Sequence, residues 1–108
     1  MDKLRDINEI ENLIKTNPIT LVYFTGRDCG ACYAIKIKIE EMLKNYPKIK
    51  SCEIDGEKAL ETAAYYGVFS LPLFLLYIQG KESLRIGRNV NLIELNSNIK
   101  RYYEMIYQ

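Results

Sequence analysis

Histidine is absent from this chain of 108 residues. Its absence excludes Cys–His nucleophilic catalysis, acid–base catalysis by histidine and metal sites built on imidazole. Cysteine is scarce, since three cysteines are too few for the disulfide framework of a small secreted protein. Two of the three lie three positions apart, a spacing that in a cytosolic protein is typical of catalytic or metal-binding chemistry.

Long apolar runs and a charge excess are also missing. No run approaches the roughly 20 residues that a membrane-spanning helix needs, and residues 1–6 are too charged to begin a signal sequence. The net charge of +1, from 15 basic and 14 acidic residues, gives no electrostatic case for nucleic acid or anionic membrane. We therefore expect a cytoplasmic protein, a monomer, that binds neither nucleic acid nor membrane.

The sequence contains enough apolar residues for one core, with 48% hydrophobic and 27% charged residues, and we expect one domain over residues 1–108. Hydrophobic spacing, capping boxes at Asp6 and Asn91, and Pro or Gly stops predict alternating helices and strands. The expected elements are a helix from 7 to about 16, a strand over 19–24, a helix from about 29 to Pro47, a strand over 49–54, a helix over about 57–66, strands over 73–78 and 82–86, and a C-terminal helix through 106.

This order implies an α/β fold of three layers, α/β/α. A crossover helix joins two parallel strands, an antiparallel hairpin follows, and helices cover both faces of a mixed sheet. The sheet has four strands, or five if Lys3 to Arg5 adds a short edge strand.

The strongest chemical signal is the segment Cys29-Gly30-Ala31-Cys32, where a loop enters a helix. The spacing puts the two sulfurs one helical turn apart, so they can close a small disulfide ring. Cys29 at the helix N-terminus faces unpaired N–H groups and the positive end of the dipole, which lower the pKa of its thiol from about 8.5. Cys32, inside the helix, is expected to be more buried, as suits a resolving thiol.

Other interpretations of the cysteines stay open. The pair could be a chance occurrence in a helix. A closed zinc site needs four ligands, and this chain offers three cysteines and no histidine. Cys52 is expected to be a packed strand residue without reactivity, with a regulatory or dimer-forming role as the alternative.

Six features in this order resemble the thioredoxin family over nearly the whole chain. They are the strand Leu21-Val22-Tyr23-Phe24 running into Cys29 and Cys32, the strand end Ile54-Asp55, the segment Tyr66-Gly67-Val68 leading to Ser70-Leu71-Pro72, the strand over 73–77, Gly80 in the hairpin turn, and Gly87 after the last strand.

The resemblance implies roles for individual residues. Cys29 corresponds to the family's nucleophile and Cys32 to its resolving cysteine, which together form a redox-active disulfide. Pro72 corresponds to a cis-proline beside that disulfide, and the backbone of Leu71 would pair with an extended substrate segment. The substrate-binding positions implied in this way are Ser70, Leu71, Pro72 and Arg88.

Several positions depart from the family pattern. Tyr23 stands where the family has a buried Asp that helps to manage the proton of the resolving cysteine, so that strand offers no carboxylate for this purpose. The other departures are Asp28 for Trp, Ala31 for Pro, Ile37 for the helix-kinking Pro and Ser51 for Lys. They leave dithiol chemistry possible and bear on its rate, its redox poise and its recognition by a reductase.

The resemblance implies a thioredoxin-like protein-disulfide reductase that takes part in electron transport and cell redox homeostasis. Its partners would be proteins with disulfides, and a reductase or a small thiol would return it to the reduced form. No cofactor or metal is expected. The alternative function is a non-catalytic peptide-binding or redox-sensing module that uses the groove beside Pro72.

Overall fold

The fold is a single mixed sheet with helices on both faces. The computed structural model describes residues 1–107. The elements, in chain order, are β1 (Asp2–Lys3), α1 (Ile7–Thr16), β2 (Ile19–Thr25), α2 (Gly30–Leu43), β3 (Lys50–Asp55), α3 (Leu60–Tyr65), β4 (Leu73–Ile78), β5 (Lys81–Ile86) and α4 (Leu92–Tyr107).

The five strands lie in the order β1-β3-β2-β4-β5. β3 is parallel to both β1 and β2, whereas β4 is antiparallel to β2 and to β5. The predicted three-layer α/β/α architecture is confirmed, and a fifth strand is present at the edge of the sheet, although it is shorter and begins one residue earlier than the considered strand over Lys3 to Arg5. The observed strand comprises Asp2 and Lys3, and the backbone N–H of Leu4 continues the pairing by donating to the Glu53 carbonyl.

The core divides at the sheet because alternate side chains of a strand point to opposite faces. In the central strand β2, Val22 and Phe24 pack with α1 and α3. Leu21 and Tyr23 point the other way and pack with α2 and α4. Six of the seven β2 residues are buried, so this strand is a rigid support for the loop that follows it.

Local sequence signals account for most element ends. The Asp6 carboxylate accepts the N–H of Asn8 at the start of α1, and the Asn91 side chain accepts the N–H of Glu94 in α4. Gly67 follows the C-cap residue of α3 and has a φ of +69°, the left-handed conformation that is common for a glycine just after a helix.

Two helices are shorter than the sequence predicts. α2 ends at Leu43 rather than at Pro47, because tighter i→i+3 hydrogen bonds, from Asn45 to Met42 and from Tyr46 to Leu43, replace helical ones. α3 begins at Leu60 rather than near Glu57, because the Asp55 carboxylate accepts the N–H groups of residues 57 and 58 and holds them in a turn.

Within residues 1–107, no helix combines the length and the apolar character that crossing a membrane requires.

Candidate redox site

The two cysteines lie where the loop after β2 enters α2. Cys29 is the N-cap residue of α2, with extended backbone angles, and its Sγ accepts the N–H of Cys32 at 3.1 Å. A helix N-terminus provides unpaired donors and the positive end of the dipole, both of which favour a negative charge on this sulfur. The expected helix start near Cys29 is confirmed.

Cys29 and Cys32 form a disulfide, and their Cα atoms are 5.2 Å apart. Cys29 is half-buried, whereas Cys32 is 1% exposed, as predicted for the inner member of the pair. A Cβ added to Gly30 would have no neighbour within 4 Å. The outer sulfur is therefore approachable and the inner one is covered.

The loop before β4 lies at the same edge of the sheet. Phe24 near the end of β2 pairs with Leu73 at the start of β4, so Pro72 is beside the loop that leads to Cys29. The Leu71–Pro72 peptide bond is cis, as the resemblance implied. Pro72 is buried, Leu71 is half-buried and Ser70 is exposed.

Leu71 joins three loops. Its Cδ1 lies 3.0 Å from where a Cβ on Gly26 would be, and its Cδ2 lies 3.1 Å from the equivalent point on Gly56. The Arg88 guanidinium donates to the Leu71 carbonyl at 3.4 Å. The structure thus brings Leu71, Pro72 and Arg88 together, while Ser70 makes none of the side-chain hydrogen bonds found among the described residues.

An apolar groove of about 430 Å³ adjoins this loop. Leu71 forms one wall, and Leu60, Val68 and Phe69 form others. Phe69 is 85% exposed and Leu60 is 69% exposed, so this groove presents apolar surface to solvent.

An ion pair that the sequence analysis missed lies beneath the first turns of α2. Lys36 Nζ is 2.7 Å from Glu53 Oε1, and the Glu53 side chain is only 9% exposed. This contact raises the pKa of Lys36. Glu53 on β3 is in register with Tyr23 on β2, so a carboxylate is present next to that position after all, on the neighbouring strand.

Tyr23 itself lies under the cysteine pair. Its hydroxyl donates to the Cys32 carbonyl at 2.7 Å. Burial, reinforced by the nearby Glu53 carboxylate, raises the pKa of Tyr23 to about 12. Two sequence signals pointed toward this pair: the alternation along β3 places Glu53 on one face of the sheet, and Lys36 lies four residues after Cys32, on the same side of the helix. Without the register of the strands, neither residue could be connected to the site.

Cys52 is in a different environment. It is a free cysteine, 0% exposed, on the face of β3 that packs against α1. Burial raises the pKa of its thiol to about 12. Its predicted position as a packed strand residue is confirmed.

Among the described residues, no group of three or more His, Cys, Asp or Glu side chains is arranged to hold a metal ion.

Comparisons by sequence and by fold both find thioredoxins among the proteins that this chain resembles. The model of the family described as "Thioredoxin" matches residues 3–101. Thioredoxin-like protein YdfQ of Bacillus subtilis is 32% identical over 105 residues, covering 97% of this chain and 94% of that protein. Thioredoxin-1 of Schizosaccharomyces pombe is 29% identical over 98 residues, covering 91% of this chain and 94% of the relative.

Solved structures agree. Oxidized mitochondrial thioredoxin 3 of Saccharomyces cerevisiae superposes with a TM-score of 0.83 at 26% identity, covering 94% of each chain. Fasciola hepatica thioredoxin gives a TM-score of 0.78 at 29% identity, covering 94% of this chain and 99% of that one. With the disulfide at the N-terminus of α2, these matches show that this chain belongs to the thioredoxin family and is a thiol–disulfide oxidoreductase, a thioredoxin-like disulfide reductase.

Proposed function

We propose that the chain reduces disulfides in other proteins, with Cys29 as the attacking thiolate and Cys32 as the resolving thiol. The observation that carries this assignment is the asymmetry of the pair. Cys29 Sγ accepts a backbone N–H at a helix N-terminus, while Cys32 is covered. Disulfide exchange requires an accessible thiolate, and the protected second thiol acts only after a mixed disulfide forms.

The reaction has two exchange steps. In the first, the Cys29 thiolate attacks one sulfur of the substrate disulfide, forms a mixed disulfide and releases the other sulfur as a thiolate. In the second, the Cys32 thiol gives its proton to water and attacks the Cys29 sulfur as a thiolate, which breaks the bond between Cys29 and the substrate, closes the Cys29–Cys32 disulfide and releases the second substrate thiolate. Two electrons pass from the chain to the substrate, and no bound cofactor is required.

Ser70, Leu71, Pro72 and Arg88 form the proposed substrate-binding groove. The Arg88 contact with the Leu71 carbonyl and the packing of Leu71 against Gly26 support a fixed loop at this position. The backbone of such a loop can pair with an extended segment of the substrate, as in other cases where a peptide adds a strand.

The same proposal covers the setting in which the chain works. It takes residues 1–108 as one domain, which is supported by the single sheet that contains every strand of residues 1–107. The chain acts as a cytoplasmic monomer in redox homeostasis, with a reductase or a small thiol as electron donor.

The test is the reduction of insulin disulfides by dithiothreitol, with and without the protein. We expect the parent to accelerate the reaction and Cys29→Ser to abolish the acceleration. Cys52→Ala is the matched control and should retain activity within about twofold, because a buried thiol of high pKa takes no part in exchange. Binding of insulin by the parent without any acceleration would instead favour a non-catalytic binding module.

A further inference from the structure

The backbone of Cys32 is held from both sides. Its N–H donates to Cys29 Sγ at 3.1 Å, and its carbonyl accepts the hydroxyl of Tyr23 at 2.7 Å. The first contact bears directly on the charge of the sulfur at Cys29, since an N–H donor stabilises a thiolate. The second contact fixes the residue that provides this donor.

We propose that Tyr23 is a positioning residue for the redox reaction, acting on Cys29 through the backbone of Cys32. This inference rests on the proposed function, with Cys29 as the attacking thiolate. The Tyr23 hydroxyl keeps the first turn of α2 in place when no disulfide does so. It therefore stabilises the reduced protein and the mixed disulfide more than the oxidised protein.

Tyr23 is suited to this role because it cannot move easily. It is 0% exposed, in the strand that β3 and β4 flank on either side. Its ring packs at a tilt against Phe74, with 6.1 Å between the ring centroids. Burial raises the pKa of its hydroxyl to about 12, so the group remains a neutral donor over the range in which thiols exchange.

A second contact holds the next turn of α2. Lys36, four residues after Cys32, forms its ion pair with Glu53. Glu53 is the residue of β3 in register with Tyr23 of β2. Two neighbouring strands thus hold two successive turns of the active-site helix, one through a hydrogen bond and one through an ion pair.

The contribution of Tyr23 differs between redox states. In the oxidised form the covalent bond between the sulfurs already fixes the turn. After reduction, or with Cys29 joined to a substrate, that covalent constraint is gone. The Tyr23 hydrogen bond then keeps the Cys32 N–H directed at Cys29, and it keeps Cys32 in position to attack the Cys29 sulfur and release the substrate thiolate.

The experiment compares Tyr23→Phe with Tyr46→Phe. Tyr46 is a matched control because it is 7% exposed in the same core cluster and donates its hydroxyl to Asn96 Oδ1 at 2.8 Å. Each variant is equilibrated with oxidised and reduced glutathione, and the rate of alkylation of Cys29 at neutral pH is measured on the reduced form. Urea unfolding of both redox forms checks folding.

For Tyr23→Phe we expect the equilibrium constant with glutathione to change about threefold in favour of the oxidised protein. The loss of one typical hydrogen bond changes an equilibrium constant by about two- to tenfold. Alkylation of Cys29 should slow by a similar factor. Tyr46→Phe should change neither quantity. If Tyr23→Phe loses stability equally in both redox forms and keeps the parent equilibrium, the hydroxyl is merely structural and the proposal is wrong.

A measurement on the parent gives an independent check. Hydrogen exchange at the Cys32 amide should remain slow after reduction, because Tyr23 still holds the Cys32 carbonyl and thereby keeps the Cys32 N–H directed at Cys29 Sγ. Loss of that protection on reduction would overturn the proposal even if the variants fold poorly. Failure of the proposed function would look different, since the parent itself would then not accelerate insulin reduction.

Discussion

The two faces of the central sheet differ in what they place next to a cysteine. On the face covered by α1 and α3, Cys52 lies among apolar side chains such as Val22 and Ile54. On the face covered by α2 and α4, a tyrosine hydroxyl and a Lys36–Glu53 ion pair lie beneath the cysteine pair. Cys52 and Glu53 are neighbours in the chain, so one strand contributes to both environments.

The difference shows that reactivity here depends on the surroundings of a thiol rather than on its presence. A thiol surrounded by apolar groups keeps its proton because the thiolate would lose its solvation. A sulfur at a helix N-terminus with a backbone N–H directed at it is favoured as an anion. The sheet separates the two environments, and the alternation of side chains along β3 is the reason.

Alkylation of the reduced protein gives the largest expected contrast. At neutral pH, Cys29 should react at least about 100-fold faster than Cys52, because a thiol with a pKa of about 12 is a thiolate only about once in 10⁵ molecules. Peptide mapping after timed labelling with iodoacetamide measures both sites. Cys52 should react only after denaturant is added, and comparable native rates at the two cysteines would remove the contrast between the faces.

Removing the cation beneath the site gives the next largest effect. We expect Lys36→Met to lower the free energy of unfolding by about 2 kcal/mol, because it leaves the Glu53 carboxylate buried without a partner. Lys44→Met is the matched control, since the Lys44–Glu41 pair at the C-terminal end of α2 is exposed and should contribute less than about 0.5 kcal/mol. Urea unfolding of both oxidised variants measures the difference, and equal losses would contradict a buried polar support under α2.

The smallest expected effect is a loss of stability at high pH, and it depends on buried tyrosines, which both faces contain. Burial raises the pKa of Tyr23 on one face and of Tyr77 on the other to about 12. A phenol that keeps its proton in the folded state but loses it near pH 10 when unfolded contributes stability below pH 10, and that stability is lost as the pH rises to 12.

We therefore expect the free energy of unfolding of the oxidised protein to fall between pH 10 and 12. In Tyr23→Phe the total fall over that range should be smaller by up to roughly 2 kcal/mol. Tyr33→Phe is the control, because Tyr33 is 69% exposed in the folded protein. An identical slope in the parent and in Tyr23→Phe would show that Tyr23 ionises without unfolding.

The sequence was sufficient for the elements with strong local signals. The strand over 73–78 was predicted with the limits of β4, because an apolar run lies between Pro72 and the turn at Gln79 and Gly80. The end of α2 was not predictable in the same way. Leu43 is followed by residues that can continue a helix, whereas in the structure i→i+3 hydrogen bonds end it and Tyr46 is buried in the core, which is a tertiary contact.

The site shows the same division. Cys29 and Cys32 could be found because their spacing is local, and the cis bond before Pro72 could be expected from the family pattern. The ion pair between Lys36 and Glu53 could not be found, because it depends on how α2 packs over β3, and the place of Glu53 beside Tyr23 depends on the register of β2 and β3. Register is a non-local property that no single segment encodes.

The central claim is that the outer sulfur, at Cys29, carries the exchange reaction. The most direct measurement is to react reduced Cys32→Ser with a disulfide-containing protein and to identify the linked peptide by mass spectrometry. Without a resolving thiol, the mixed disulfide should accumulate at Cys29 and disappear on addition of dithiothreitol. A link at Cys52, or no link under conditions in which the parent reduces the same substrate, would contradict the account.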